Sequence, residues 1–123
     1  MTDIARNITS NSNYSAGKTI LIVDDDRIQI AKNKAIFEHA GFSTLQARTP
    51  REAKDGFTFH HIDLLFTDLI MPGIDGIELY RQLSKQHPEC IAILQTAYLN
   101  PMVKKEAQIN NFTACLPKSA ASK

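Results

Sequence analysis

Two apolar runs of the chain end in acid. Thr19-Ile20-Leu21-Ile22-Val23 leads into Asp24-Asp25-Asp26, and Ile62-Asp63-Leu64-Leu65-Phe66-Thr67 leads into Asp68. Each carboxylate stands where a buried strand gives out. After Asp68 the chain turns through Leu69-Ile70-Met71-Pro72-Gly73-Ile74-Asp75-Gly76, a stretch rich in Pro and Gly. Strands that end in acid at the same edge of a sheet gather Asp24, Asp25 and Asp68 into one pocket. Such a cluster repels itself unless a hard cation neutralises it, and Mg²⁺ suits an all-oxygen ligand set. Two more polar residues close apolar runs, Thr96 after Cys90–Gln95 and Lys118 after Phe112–Leu116. Lys118 offers a point charge to Asp68 or to an anion bound there, and the Thr96 hydroxyl can donate a hydrogen bond to that anion. A carboxylate with Mg²⁺, Lys and Thr around it is a good phosphoryl acceptor. The cations stabilise the equatorial oxygens of a loose transition state while the carboxylate attacks and becomes an acyl phosphate. Singly, each residue has a plainer reading: a solvated turn, a strand-end hydroxyl, a surface cation. Their common position at strand ends carries the argument.

The elements that must position these groups alternate strand and helix. Residues 1–18 read as a flexible polar leader, with Asn7, Asn11 and Asn13 among Ser and Thr. Thr19–Val23 is a strand too apolar to alternate, so both of its faces are expected to be buried. A helix follows from Arg27 to Ala40, with Ile30, Ile36, Phe37 and Ala40 inward, and Gly41 closes it. Phe42–Ala47 is the second strand. Thr49-Pro50-Arg51-Glu52 is a capping box with Pro at the first helical position. Ile62–Thr67 is the third strand, and Asp75-Gly76-Ile77-Glu78 opens a helix that Pro88 ends. Cys90–Gln95 is the fourth strand, Asn100-Pro101 caps a helix that Asn110-Asn111 ends, and Phe112–Leu116 is the fifth strand. This alternation predicts right-handed crossovers and a doubly wound parallel sheet. Its ligand site belongs beyond the carboxyl ends of the strands.

Bulk composition narrows the function classes. The chain has 123 residues, 43% hydrophobic and 22% charged, which fits one ordinary globular domain. Its 14 basic and 13 acidic side chains give a net charge of +1, no footprint for nucleic acid or an anionic membrane. No apolar run nears the ~20 residues that cross a bilayer, and the N-terminus has no signal-peptide pattern. Cys90 and Cys115 lie in apolar runs without metal-ligand spacing, and are expected to be free thiols in a reducing cytoplasm. His60, His61 and His87 are expected to be solvated near helix ends, with His39 on the first helix. Lys104-Lys105 is expected on a wet helix face.

The motifs Ile-Leu-Ile-Val-Asp-Asp-Asp (20–26), Thr-Asp-Leu-Ile-Met-Pro-Gly-Ile-Asp-Gly (67–76), Gln-Thr-Ala (95–97) and Leu-Pro-Lys (116–118), in this order, resemble the receiver domain of two-component response regulators. The resemblance spans residues 19–118 and implies a receiver domain over 19–123, with a flavodoxin-like five-stranded sheet ordered 2-1-3-4-5. It implies Asp68 as the phosphorylated residue, Asp25 as a direct Mg²⁺ ligand, Asp24 acting through water, and the Ile70 carbonyl as a further ligand. Thr96 and Lys118 would sense the phosphoryl group, and Asp26 would cap the first helix. The implied partners are a histidine kinase or phosphotransfer protein and an unknown output partner.

Three positions depart from the family pattern. Cys115 stands where an aromatic residue is usual, three before Lys118. Ser119 stands where Pro is usual, and a cis bond before Ser costs about 2.5–4 kcal/mol against about 0.5–1 before Pro, so the Lys118–Ser119 bond is expected to be trans. The five residues after Lys118 are too few for the family's fifth helix, so the expected fold has that helix absent or truncated. Ile91, Ile93, Ala114 and Leu116 are then expected to lie uncovered, with self-association as the remedy. Two alternatives stay open on sequence. A haloacid-dehalogenase-type phosphatase would use Asp24 of Asp24-Asp25-Asp26 as nucleophile. A degenerate receiver would act as a scaffold without phosphorylation.

Overall fold

A computed structural model describes residues 17–118. The element order is β1 Thr19–Val23, α1 Arg27–His39, β2 Ser43–Ala47, α2 Pro50–Phe59, β3 Leu64–Thr67, α3 Gly76–Ser84, β4 Ile91–Thr96, α4 Pro101–Ile109 and β5 Ala114–Pro117. The sheet is parallel throughout, in the order β2-β1-β3-β4-β5, the flavodoxin-like topology. Among the described residues four helices cover it.

The strand alternation sorts the core into two layers. Leu21, Val23, Leu65, Ala92 and Leu94 point to one face, where Ala53 and Phe57 of α2, Ile77, Leu79, Tyr80 and Leu83 of α3, and Ala107 of α4 pack. Ile20, Ile22, Leu64, Phe66 and Ile93 point to the other, against Ile30 and Phe37 of α1 and Phe42. The Phe37 ring meets Phe66 and Phe42 edge-on, at centroid distances of 5.1 and 5.9 Å. β1, between β2 and β3, is buried on both faces as its continuous apolar run requires.

The helix ends follow the chemistry of their caps. Asp26, Thr49, Asp75 and Asn100 each accept a hydrogen bond from a backbone N–H in the first turn. The box at Thr49 differs in one detail. The Glu52 side chain accepts from Arg48 N–H at 2.8 Å, one residue upstream of the usual partner. After α1, Gly41 takes φ +102°, and after α4, Asn111 takes φ +68°, the left-handed conformation that ends a helix.

Two expectations need correction. Ile93 is fully buried in the α1 layer, and Ile91, Ala114 and Leu116 are half-buried against it. The layer is therefore partly covered, with Ile93 of β4 in one buried cluster with Ile30 and Phe37 of α1, and the energetic case for self-association shrinks with it. His87 is not simply solvated. It is half-buried, its ring 5.0 Å from that of Phe57. The Lys118–Ser119 bond and residues 1–16 of the expected 1–18 leader fall outside the described residues.

Candidate functional site

Backbone hydrogen bonds carry the sheet ladder one step past the strands and into the site. Asp24 N–H donates to Ala47 O (3.1 Å), Asp68 N–H to Val23 O (2.9 Å), and Lys118 N–H to Thr96 O (3.0 Å). These bonds extend the β1–β2, β1–β3 and β4–β5 pairings past the strand ends, the β3–β4 ladder joins the two sets, and the side chains that follow meet. One carboxylate oxygen from each of Asp24, Asp25 and Asp68 lies within 4.8 Å of the others. Lys118 Nζ bridges two of these acids, 2.9 Å from Asp24 Oδ2 and 3.1 Å from Asp68 Oδ2.

Each acid is held differently. Asp24 is buried, and its Oδ1 accepts from Asp26 N–H at 2.9 Å. Asp26 is spent on capping α1, accepting from Ile28 and Gln29 N–H, so it caps as expected and adds nothing to the cluster. Asp25 is exposed at the rim. Asp68 is buried, and its Oδ1 accepts from Leu69 N–H at 2.8 Å. Each Asp68 oxygen already has one donor and keeps a second lone pair for a cation or phosphorus.

Gly76, the first residue of α3, lies hard against the Asp68 backbone. A Cβ built there would stand 2.1 Å from the Asp68 carbonyl oxygen. Only a residue without a side chain lets the helix start this close to the acid-bearing strand end.

The electrostatics follow from burial. Burial pushes the Asp24 carboxyl above its ordinary value, and the charge of Asp68 adds to this. The Asp26 N–H and Lys118 offset it only in part. Burial alone would lower the Lys118 ammonium. Its hydrogen bonds to Asp24 and Asp68 outweigh that and hold it above the usual lysine value.

The other expected residues surround this centre. Thr96 is fully buried, and its hydroxyl accepts from Tyr98 N–H at 3.1 Å, with its own proton left to donate. Among the described residues it makes no hydrogen bond to the three carboxylates. Ile70 and Tyr98 are 52% and 62% exposed, on the loops after β3 and β4. Cys115 packs half-buried against the layer under α4, in the place expected of an aromatic ring.

Sequence reasoning missed a buried amide cluster beside the site. Gln95, one residue before Thr96, accepts through Oε1 from Asn33 Nδ2 (2.9 Å) and Gln29 Nε2 (3.4 Å) of α1. All three are buried. Positions 29, 33 and 37 share a helix stripe, the one signal that would have found them.

The donor set suits a hard divalent cation. Ligand oxygens around Mg²⁺ at 2.0–2.1 Å stand roughly 3–4.2 Å apart, so oxygens already within 4.8 Å of one another need only a small contraction.

Comparison with known proteins agrees with this geometry. Residues 20–123 match the response regulator receiver domain. Sporulation initiation phosphotransferase F of Bacillus subtilis is 38% identical over 80 residues, covering 64% of each protein. A cyclic di-GMP phosphodiesterase of Thermotoga maritima is 27% identical over 88 residues, covering 72% of this chain and 23% of that protein. The chain thus spans less than two thirds of the length of these curated relatives. Among solved structures, the CheY-like receiver domain protein of Methanospirillum hungatei JF-1 superposes with a TM-score of 0.77 at 27% identity, covering 84% of this chain and 82% of that one. The response regulator TrrA of Thermotoga maritima, in complex with Mg²⁺ and BeF, gives 0.74 at 28% identity, covering 84% and 88%. The strand order, the acids at the ends of β1 and β3, and the family match over residues 20–123 lead to one assignment: the chain belongs to the response regulator receiver domain family.

Proposed function

We propose that this protein is a phosphoacceptor signalling switch. It takes a phosphoryl group on Asp68 from the phosphohistidine of a histidine kinase or phosphotransfer protein, and the modified form changes a contact with an output partner. One observation carries the reading: three carboxylates converge within 4.8 Å while a single lysine spans Asp24 and Asp68. That arrangement is costly as a purely structural device, because two buried acids share one cation.

In this reading Asp25, Asp68 and the Ile70 carbonyl would hold Mg²⁺ directly, and Asp24 would hold it through water. The ion, when bound, neutralises the charge that builds on the phosphoryl oxygens. A lone pair of an Asp68 carboxylate oxygen attacks phosphorus. The P–O bond forms as the bond from phosphorus to the imidazole nitrogen breaks, and the imidazole departs with that electron pair. Lys118 has a third ammonium proton free for a phosphoryl oxygen. Thr96 offers its hydroxyl proton once the phosphoryl group is in place. The reaction changes Asp68 itself, so the protein assists its own phosphorylation and dephosphorylation and turns over no separate substrate. The free thiols Cys90 and Cys115 support a reducing, cytoplasmic setting, and no helix among the described residues is long and apolar enough to cross a membrane.

The test is intact-protein mass spectrometry after treatment with acetyl phosphate and Mg²⁺. One phosphoryl adduct is expected, absent in Asp68→Asn and absent in EDTA. An adduct that persists in Asp68→Asn overturns the assignment, and one lost only in Asp24→Asn moves the nucleophile to Asp24.

A further inference from the structure

A second charged feature lies outside the phosphoacceptor pocket. Between α1 and the edge strand β2 runs a cleft of about 410 Å³ lined by Arg27, Ile30, Ala31, Lys34, Gln46 and Arg48. Three of the six side chains are cationic and none is acidic. In a chain of net charge +1 this is a local concentration of one sign, not a reflection of composition.

The cations are held apart, and of the three Lys34 alone is paired with a carboxylate among the described residues. Lys34 Nζ is anchored at the β2 side, 3.4 Å from Thr44 Oγ1 and 3.3 Å from Glu38 Oε2, with which it shares its charge. Arg48 is anchored at the other end, donating from Nε and Nη2 to the Asp25 carbonyl oxygen at 3.3 and 3.1 Å. A carbonyl fixes the guanidinium without cancelling its charge. The nearby Glu52 carboxylate is occupied by Arg48's own backbone N–H. Among the described residues neither Arg27 nor Arg48 has a carboxylate partner.

Spacing selects the ligand. Arg27 and Lys34 are seven residues apart on one helix, roughly 10 Å along its axis. With Lys34 tethered to Thr44 and Glu38 and Arg48 to the Asp25 carbonyl, a single phosphate is too small to span the cations. Side chains on one side of an extended segment recur about every 6.6–6.8 Å, a distance that long Arg and Lys stems accommodate. Exposed Ala31, with Ile30 buried beneath it, leaves room for such a segment between the cations.

We propose that this cleft docks an extended acidic segment of the phosphodonor protein, two or more carboxylates meeting Arg27, Lys34 and Arg48. The identity of the partner rests on the phosphoacceptor reading. The binding chemistry does not. Because Arg48 grips the carbonyl of Asp25, a segment bound there sits beside the pocket and orients the donor toward Asp68.

Fluorescence anisotropy with a labelled Glu-rich hexapeptide tests it, with a Gln-for-Glu peptide and inorganic phosphate as comparisons. The acidic peptide is expected to bind, to weaken steeply with added salt, and to lose at least tenfold in affinity in the Arg27→Gln/Arg48→Gln double variant and in Lys34→Gln. The neutral peptide is expected not to bind. Unchanged affinity in both variants, equal binding of the neutral peptide, or displacement by phosphate at concentrations matching the peptide each overturns the proposal. Circular dichroism melts confirm that the variants fold. Acetyl phosphate labelling of the wild type runs alongside. A wild type that labels at Asp68 but ignores the peptide refutes the cleft alone.

Discussion

Substituting Gly76 by Ala tests how the fold places its acid. The added Cβ would stand 2.1 Å from the Asp68 carbonyl oxygen, where side-chain carbons essentially never come closer than 3.0 Å, and 3.1 Å from both the Asp68 carbonyl carbon and Thr67 Cγ2. The shortfall of about 0.9 Å is against backbone, so no rotamer change relieves it. Either α3 backs away, straining the Gly76 N–H bond to Leu69 O at 2.8 Å, or the Asp68 peptide moves. Overpacking of this kind costs about 1–3 kcal/mol. The better helix propensity of Ala returns at most about 1. A net loss of about 1–2 kcal/mol lowers the melting temperature of a domain this size by roughly 5–15 °C.

The effect on labelling should be larger. A displacement near 1 Å at a reacting group costs on the order of 100-fold in rate. The assay is the rate of acetyl phosphate labelling of Asp68 by intact mass, measured well below the melting transition. Gly56→Ala is the control. There a Cβ meets only Leu21 methyl carbons at 3.5 and 3.6 Å, ordinary contact, so it should gain about 0.5–1 kcal/mol and label at the wild-type rate. A Gly76→Ala protein that labels within a few-fold of wild type and melts unchanged would refute the close-approach argument.

Three further outcomes are expected. Asp24→Asn should melt higher than wild type in EDTA at pH 7. Burial holds the Asp24 carboxyl above the ordinary carboxylate value in the folded state, so ionising it costs stability as pH rises through that window. The two proteins should converge below about pH 3.8, and a less stable variant at pH 7 contradicts this. Alkylation at pH 8 should reach half-buried Cys115 in the folded protein and Cys90 only after unfolding, since burial pushes the Cys90 thiol up to about 12. Peptide mapping that finds native Cys90 modified first would count against it. Ile70 and Tyr98 are both exposed, on the loops after β3 and β4; if they border the path of the attacking water, Ile70→Asn should hasten loss of the phosphoryl group, because an amide can orient that water where an apolar side chain cannot. Equal or slower decay would show that these side chains do not limit water.

Much of the site was legible in sequence because it is local. Asp24, Asp68, Thr96 and Lys118 each end an apolar run, and parallel strands entered in register deliver their ends to one edge. The caps at Asp26, Thr49, Asp75 and Asn100 were legible for the same reason, since a cap is chosen within four residues. What escaped was set by distant contacts. Nothing within a few residues of Gln95 announces that Asn33, 62 positions away, fills its buried acceptor. His87 reads as a loop histidine until Phe57 comes to rest on it. Ile93 reads as bare when no fifth helix follows β5, because nothing local to it reveals that α1 side chains join its cluster from across the sheet.

Charge balance ties these pieces to the mechanism. With Asp24, Asp25 and Asp68 ionised and Lys118 protonated, the four groups leave a deficit of two positive charges, which one divalent cation removes. Lys118 does not substitute for that cation. It holds two of the acids at hydrogen-bond distance, so the cluster is assembled before any ion arrives and little reorganisation is left for the binding step. In the proposed reaction the acyl phosphate on Asp68 carries more negative charge than the carboxylate it replaces and places new oxygens within reach of the same lysine, so its positive charge is needed in both forms. Lys118→Ala should therefore damage the unmodified protein as well as the modified one. In the unmodified protein Asp24 loses a hydrogen bond that offsets its burial, and its carboxyl should rise further. A shift of that titration by NMR in Lys118→Ala, reversed by added Mg²⁺, is the expected signature. An Asp24 titration unmoved by the substitution would mean that the lysine belongs to the phosphoryl group alone.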